Sequence, residues 1–160
     1  GSDGVVIMGS GGDSISQFRP GDTHHRTGEW GGDKSSRVSL SVEIVARTRD
    51  GVGRDFIINY RLSRIDLIPG GSSWDEIVTL GKAVAQGGAS IINTGIGWHE
   101  ARVPTIATSV PRAAFAWVTK KMKAEFAAVG ITTHLVTSNR ITTPEVAEQV
   151  LADGLSPIHI

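Results

Sequence analysis

Short apolar runs alternate along this chain with longer stretches in which apolar residues recur every three or four positions. Val5-Val6-Ile7-Met8 predicts a first strand, followed by a glycine-rich loop from Gly9 to Gly12. Phe56-Ile57-Ile58-Asn59-Tyr60 predicts a second strand, Ile91-Ile92-Asn93 a third and Leu135-Val136-Thr137 a fourth. The tail Ile158-His159-Ile160 reads as a short fifth. Unbroken apolar runs of this length suit parallel strands covered by helices.

The intervening segments carry helix signals. Ser73-Trp74-Asp75-Glu76 is a capping box, with Ile77, Leu80 and Val84 on one face after it. Pro111 suits a first turn, and Phe115, Val118, Met122 and Phe126 form a stripe at helical spacing. Thr143-Pro144 starts another helix, with Val146 and Val150 inward and Gly154 as its stop. Val38, Leu40, Val42 and Ile44 alternate like a strand, but the length of the segment and its charged continuation through Arg49 favour a helix. The order is βαβαβαβαβ. It predicts an α/β fold in a single domain over residues 1–160, a parallel sheet covered by helices. A full (β/α)8 barrel takes about 250 residues. The 160 residues here suit a partial (β/α)8 barrel, half-barrel-like, with about four βα units and a short last strand.

Composition narrows the function classes. With 16 basic and 16 acidic residues the formal net charge is zero, which argues against an electrostatic nucleic-acid binder. There is no cysteine, so disulfides, thiolate metal sites and an iron–sulfur cluster are excluded for this chain. No apolar run approaches the roughly 20 residues that span a bilayer, and no signal peptide is visible. The expectation is a cytoplasmic protein with no membrane partner. Gly1-Ser2 looks like a cloning remnant.

The richest segment is Asn93-Thr94-Gly95-Ile96-Gly97-Trp98-His99-Glu100-Ala101-Arg102-Val103-Pro104-Thr105. A histidine follows an apolar run where a buried strand should end, and α/β folds place reactive groups in such loops. His99 is therefore a candidate catalytic residue; the alternative is a hydrogen-bonded loop histidine.

This segment resembles the active-site loop of bacterial 2,4-dienoyl-CoA reductases, flavin enzymes of the old yellow enzyme family. The similarity runs over nearly the whole chain. Asp3 to Ser10 looks like the family's fourth barrel strand. Arg26-Thr27-Gly28-Glu29-Trp30-Gly31-Gly32-Asp33 is similar to its Arg-Thr/Ser-Asp-x-aromatic-Gly-Gly loop. Asp55 to Ser63 resembles strand five, the His99 loop follows strand six, and Val136 to Ile141 resembles strand seven and its turn. The resemblance implies FMN as cofactor and gives three residues roles. His99 would help protonate the substrate. Arg61, taken to sit at a strand end, would lie against the flavin's N1–C2=O edge and favour the reduced anion. Arg140 would contact the flavin phosphate with its planar fork. Read without the resemblance, Arg61 pairs with a carboxylate such as Asp66, and Arg140 is a surface arginine near Glu145.

The chain also departs from the pattern. Where the family has a tyrosine in a Gly-x-Gly-Tyr-type loop, this chain has Asp13. As a catalytic group Asp13 needs a strongly raised pKa to donate a proton; the alternative is a solvated loop carboxylate. The first three barrel strands, the domains that follow the barrel, and the Ala-Arg-Pro turn that helps hold the flavin phosphate have no counterpart. Residues 14 to 25 are more polar than in the family, and Thr132-Thr133-His134 precedes the fourth strand. These departures suggest an engineered, recombined or de novo barrel fragment. Its open strand edges and apolar lumen would pair in a homodimer, with little or no native reductase activity.

Two other functions are weighed against that one. The first is an FMN-binding NAD(P)H-dependent oxidoreductase acting on 2,4-dienoyl-CoA or other α,β-unsaturated carbonyls. The second is a new metal-binding or hydrolytic activity in residues 11–30. There Asp22, His24 and His25 offer oxygen and nitrogen ligands for zinc or nickel, or form a solvated loop. His134 and His159 on neighbouring strands form a cross-strand pair or stand alone. Trp30 and Trp98 are expected as loop plugs, and Trp74 and Trp117 as helix-surface or core residues; they form no nucleic-acid stacking series.

Overall fold

A computed structural model describes residues 1–12, 14–17, 34–137, 140–155 and 158–159. Asp13, Asp22, His24, His25, Trp30 and Asn139 lie outside the described residues. The elements run β1 (Gly4–Gly9), α1 (Ser14–Gln17), α2 (Lys34–Val52), β2 (Ile57–Ile65), α3 (Trp74–Gln86), β3 (Ile91–Ile96), α4 (Ala116–Ala127), β4 (His134–Thr137), α5 (Pro144–Ala152) and β5 (Ile158–His159).

The strands form one parallel sheet in the order β1-β2-β3-β4-β5. Every strand pairs with the next in sequence, which is how a barrel is laid down and not how a doubly wound sheet is. Successive residues of a strand point to opposite faces. Ile7, Tyr60, Ile92 and Leu135 are register partners across β1 to β4. All four are buried in the core with Val45 of α2, Ile77, Leu80 and Val84 of α3, and Met122 and Phe126 of α4. The opposite face carries the row Met8, Arg61, Asn93 and Val136. One face thus packs on helices and the other lines the concave side.

The capping box of α3 forms as its sequence dictates. Ser73 Oγ accepts from Glu76 N, and Ser73 N donates to Glu76 Oε2 at 2.8 Å. Thr143 caps α5, with Pro144 in its first turn. Segment 38–45 is helical, as its length indicated. Near the end of α2, the Arg49 guanidinium donates to the carbonyls of Gly53, Phe56 and Gly88 and to Ser90 Oγ. This one side chain joins α2, the start of β2 and the α3–β3 turn, where Gly88 has φ +111° and its Cα lies against the arginine stem.

Two sequence readings are corrected. Pro111 does not open α4; residues 111–115 form turns and the helix starts at Ala116. Ala113 stands at φ 55°, a left-handed conformation that interrupts a regular helix, and its N–H donates to Arg140 O. Strand β2 runs on to Ile65, so Arg61 is mid-strand and not at a strand end. Polar residues at 59, 61 and 63 masked the strand because they share its concave face. Of the two readings left open for His134 and His159, the β4–β5 backbone register, which sets His159 beside Thr137, favours histidines that stand alone.

Candidate active site

The carboxyl ends of β1, β2 and β3 meet in a small set of backbone and side-chain locks. Gly95 at the end of β3 lies so close to β1 that a Cβ there would stand 2.7 Å from Ser10 Cβ. Gly97 N donates to Ile65 O at 2.7 Å and Trp98 N to Asp66 O at 3.0 Å, so the chain leaving β3 follows the end of β2. His99 N donates to Gly11 O at 3.0 Å, which adds the β1 loop. Gly12 stands at φ +92°, and a Cβ on it would meet the Trp98 ring at 3.0 Å.

Asp66 is the hub of this arrangement. It is buried, and Oδ1 accepts from Trp98 Nε1 at 2.8 Å and from Ser63 Oγ at 2.5 Å. Its Oδ2 accepts from Ser72 N at 2.8 Å. Trp98 is thereby a buried loop plug, as its place in the Gly-rich loop suggested. The next residue, His99, is exposed.

Arg61 and His99 come together. Both line one cleft of about 330 Å³ at the carboxyl end of the sheet, with Met8, Ser10, Pro104 and Ile106 among its walls. Asp66 is taken up by Ser63, Ser72 and Trp98. Arg61 Nε is buried with no hydrogen-bond partner among the described residues, and so are Asn59 Oδ1 and Asn93 Oδ1. Buried polar atoms are normally satisfied. A row of them on one concave face, next to a cleft, suits a planar heterocycle whose edge carries both donors and acceptors. These residues therefore fit a flavin.

Arg140 is not in that cleft. It stands at φ 60°, and its Nε donates to Val110 O at 3.0 Å and its Nη2 to Thr108 O at 3.4 Å. It ties the segment before α4 to the end of β4. Among the described residues no group of three or more His, Asp or Glu could hold a metal ion, and no helix is long and apolar enough to cross a membrane.

Sequence reasoning named Asp66 only as an ion-pair partner and passed over Asn59 and Asn93. The signal was available: Asn59, Arg61 and Ser63 alternate with Ile58, Tyr60 and Leu62, the period of a strand with one polar face.

The family model of the NADH:flavin oxidoreductase / NADH oxidase family matches residues 1–158. The chain belongs to this family. A metal reductase of Desulforamulus reducens is 36% identical over 154 residues, 96% of this chain and 22% of the relative. An NADH oxidase of Thermoanaerobacter brockii is 28% identical over 152 residues, 95% of this chain and 23% of the relative. Among solved structures, 2-naphthoyl-CoA reductase in complex with 2-naphthoyl-CoA superposes with a TM-score of 0.89 at 27% identity, covering 98% of this chain and 23% of that one. The chain thus spans under a quarter of the length of these relatives. In NADH:flavin oxidoreductase terms, its sequentially ordered parallel sheet is an arc of the old yellow enzyme (β/α)8 barrel. The Arg61–His99 cleft opens at the carboxyl end of that arc, where barrel enzymes keep their chemistry.

Proposed function

We propose that this chain supplies the FMN- and substrate-facing arc of an NADH-dependent flavin oxidoreductase that reduces an activated double bond beside a carbonyl. The observation that carries the proposal is the shared cleft of Arg61 and His99, with unpartnered polar atoms of Asn59, Arg61 and Asn93 beside it. FMN bound there supplies hydride chemistry. The guanidinium of Arg61 places positive charge on the concave face, where it can orient an electron-rich ring edge. His99 stands at the rim on a loop locked to β1 and β2, where an imidazole can hold and deliver a proton to a bound substrate. Val103 and Ile106, 51% and 74% exposed, offer an apolar rim to a substrate. Arg140 supports the phosphate side indirectly, by ordering the segment before α4.

Titration of the protein with FMN tests this. Flavin fluorescence should be quenched saturably, and Arg61→Met should weaken binding at least tenfold. Absence of quenching at tens of micromolar protein overturns the proposal.

A second reading rests on the concave face of the first two strands. Val6 and Ile57 are 57% and 46% exposed, and Met8 beside them is 37% exposed. Apolar side chains grouped this way favour self-association of this chain. A single monomeric mass in sedimentation equilibrium at about 100 μM rules that out.

A further inference from the structure

Arg64 takes no part in the cleft of Arg61 and His99. The register of β2 against β3 shifts between Ser63 and Ile65, so Arg64 is the extra residue of a bulge. Bulges re-aim a side chain. This one is 0% exposed. Its Nη2 donates to Ile92 O at 3.2 Å, while Nε and Nη1 have no partner among the described residues. The indole Nε1 of Trp74 is also buried without a partner.

Arg64 and Trp74 line a second cleft of about 330 Å³, walled by Ile77 of α3 and by Trp117 and Lys121 of α4. Lys121 Nζ lies 4.1 Å from the centre of the Trp74 ring. Ser72 and Asp66 are also in the lining, but Asp66 already accepts from Ser63, Ser72 N and Trp98. Glu76 in the first turn of α3 is held by Ser73. Trp74 opens α3 and Trp117 is the second residue of α4, so the first turn of each helix contributes to the lining. The result is rich in donors and poor in acceptors. A buried guanidinium with no anion beside it is unfavourable, and burial lowers the Arg64 pKa only to about 9, so the charge persists at neutral pH.

We propose that this cleft binds a phosphate group, seated between Arg64, the Trp74 indole N–H and Lys121. The three donors come from β2, α3 and α4. Donors on three separate elements suit a tetrahedral oxyanion better than a planar carboxylate engaged by one fork. The site is separate from the flavin face and does not depend on flavin binding.

Trp74 and Trp117 make tryptophan fluorescence a direct reporter. Inorganic phosphate added at constant ionic strength should change it saturably in the millimolar range, and acetate should not. Lys121→Met, at an exposed position, should weaken the response several-fold with the fold unchanged by circular dichroism. Arg64→Met should weaken it at least tenfold. A phosphomonoester such as glycerol 3-phosphate that binds more tightly than inorganic phosphate would assign the site to a phosphorylated metabolite; the reverse order would assign it to free phosphate. An equal response to acetate, or an unchanged response in Lys121→Met, overturns the proposal.

Discussion

The indole N–H of Trp98 donates to Asp66 Oδ1 at 2.8 Å, and the Trp98 backbone N–H donates to Asp66 O at 3.0 Å. Two bonds between one pair of residues fasten the loop before His99 to the turn after β2. Removing the carboxylate strands three donors, those of Trp98, Ser63 and Ser72. A buried donor without an acceptor costs about 1–3 kcal/mol. Asp66→Ala should therefore lose about 3 kcal/mol or more in urea unfolding. Trp98→Phe keeps most of the ring but leaves one carboxylate oxygen short of a donor, and should lose about 1–3 kcal/mol. A loss below about 1 kcal/mol in Asp66→Ala would show that the hub does not hold the loop.

Much of this fold is legible in the residues themselves, because its strongest signals are local. The Ser73–Glu76 capping box, the Thr143-Pro144 start of α5 and the apolar ladder Ile7, Ile92 and Leu135 need no long-range information. The end of β2 was hidden for a different reason. Arg61 and Ser63 look like strand terminators until the concave face is known to tolerate polar groups. The start of α4 was hidden because Ala113 takes a left-handed conformation while its N–H bonds Arg140 O, a contact between residues far apart in the chain. At the site, His99 stood out by its place after an apolar run, and Arg61 only through the family resemblance. The Asp66 hub did not, because a buried aspartate is recognised by its donors and those are set only by folding.

Tyr60 and Gly9 are coupled across the β1–β2 pair. Tyr60 is 0% exposed, and a Cβ on Gly9 would overlap its hydroxyl. Gly9→Ala must displace a packed ring or strand, and such overpacking costs about 1–3 kcal/mol or more. Tyr60→Phe removes the nearest of the overlapping atoms and leaves ring carbons Cζ and Cε1 still in the way. In the double variant part of the Gly9→Ala loss should be recovered, giving a coupling of about 1 kcal/mol in a double-mutant cycle. Additive losses would place the strain elsewhere.

The cap of α5 predicts an acid-dependent effect. Thr143 Oγ accepts from Val146 N, and Thr143→Ala should cost about 1 kcal/mol at pH 7. The Glu145 carboxyl is held below its ordinary range by its own backbone N–H, then by the Thr143 hydroxyl and the Arg112 charge, against a small opposing effect of burial. A lowered carboxylate pKa stabilises the fold above the unfolded value, and that stabilisation disappears as pH falls through the folded one. The Thr143→Ala loss should therefore shrink as Glu145 protonates below the usual glutamate range. A loss of constant size from pH 7 into the acid range would remove Glu145 from the cap.

Arg64 gives the opposite dependence. Burial lowers its pKa well below the ordinary arginine value, to about 9, so between the folded and unfolded values the unfolded chain binds more protons than the folded one. Stability attributable to this group then rises with pH across that window, and below pH 9 the full penalty is present, on the order of 5 kcal/mol. Arg64→Met keeps the stem and deletes the charge, at a cost of about 1 kcal/mol for the lost bond to Ile92 O. In phosphate-free buffer the variant should be more stable than the parent at pH 7, and the advantage should shrink between pH 9 and pH 11. Denaturant unfolding of both proteins at each pH measures this directly. An Arg64→Met protein that is less stable at pH 7 would mean that the guanidinium is already satisfied in the folded chain, and with it the need for an anion would vanish.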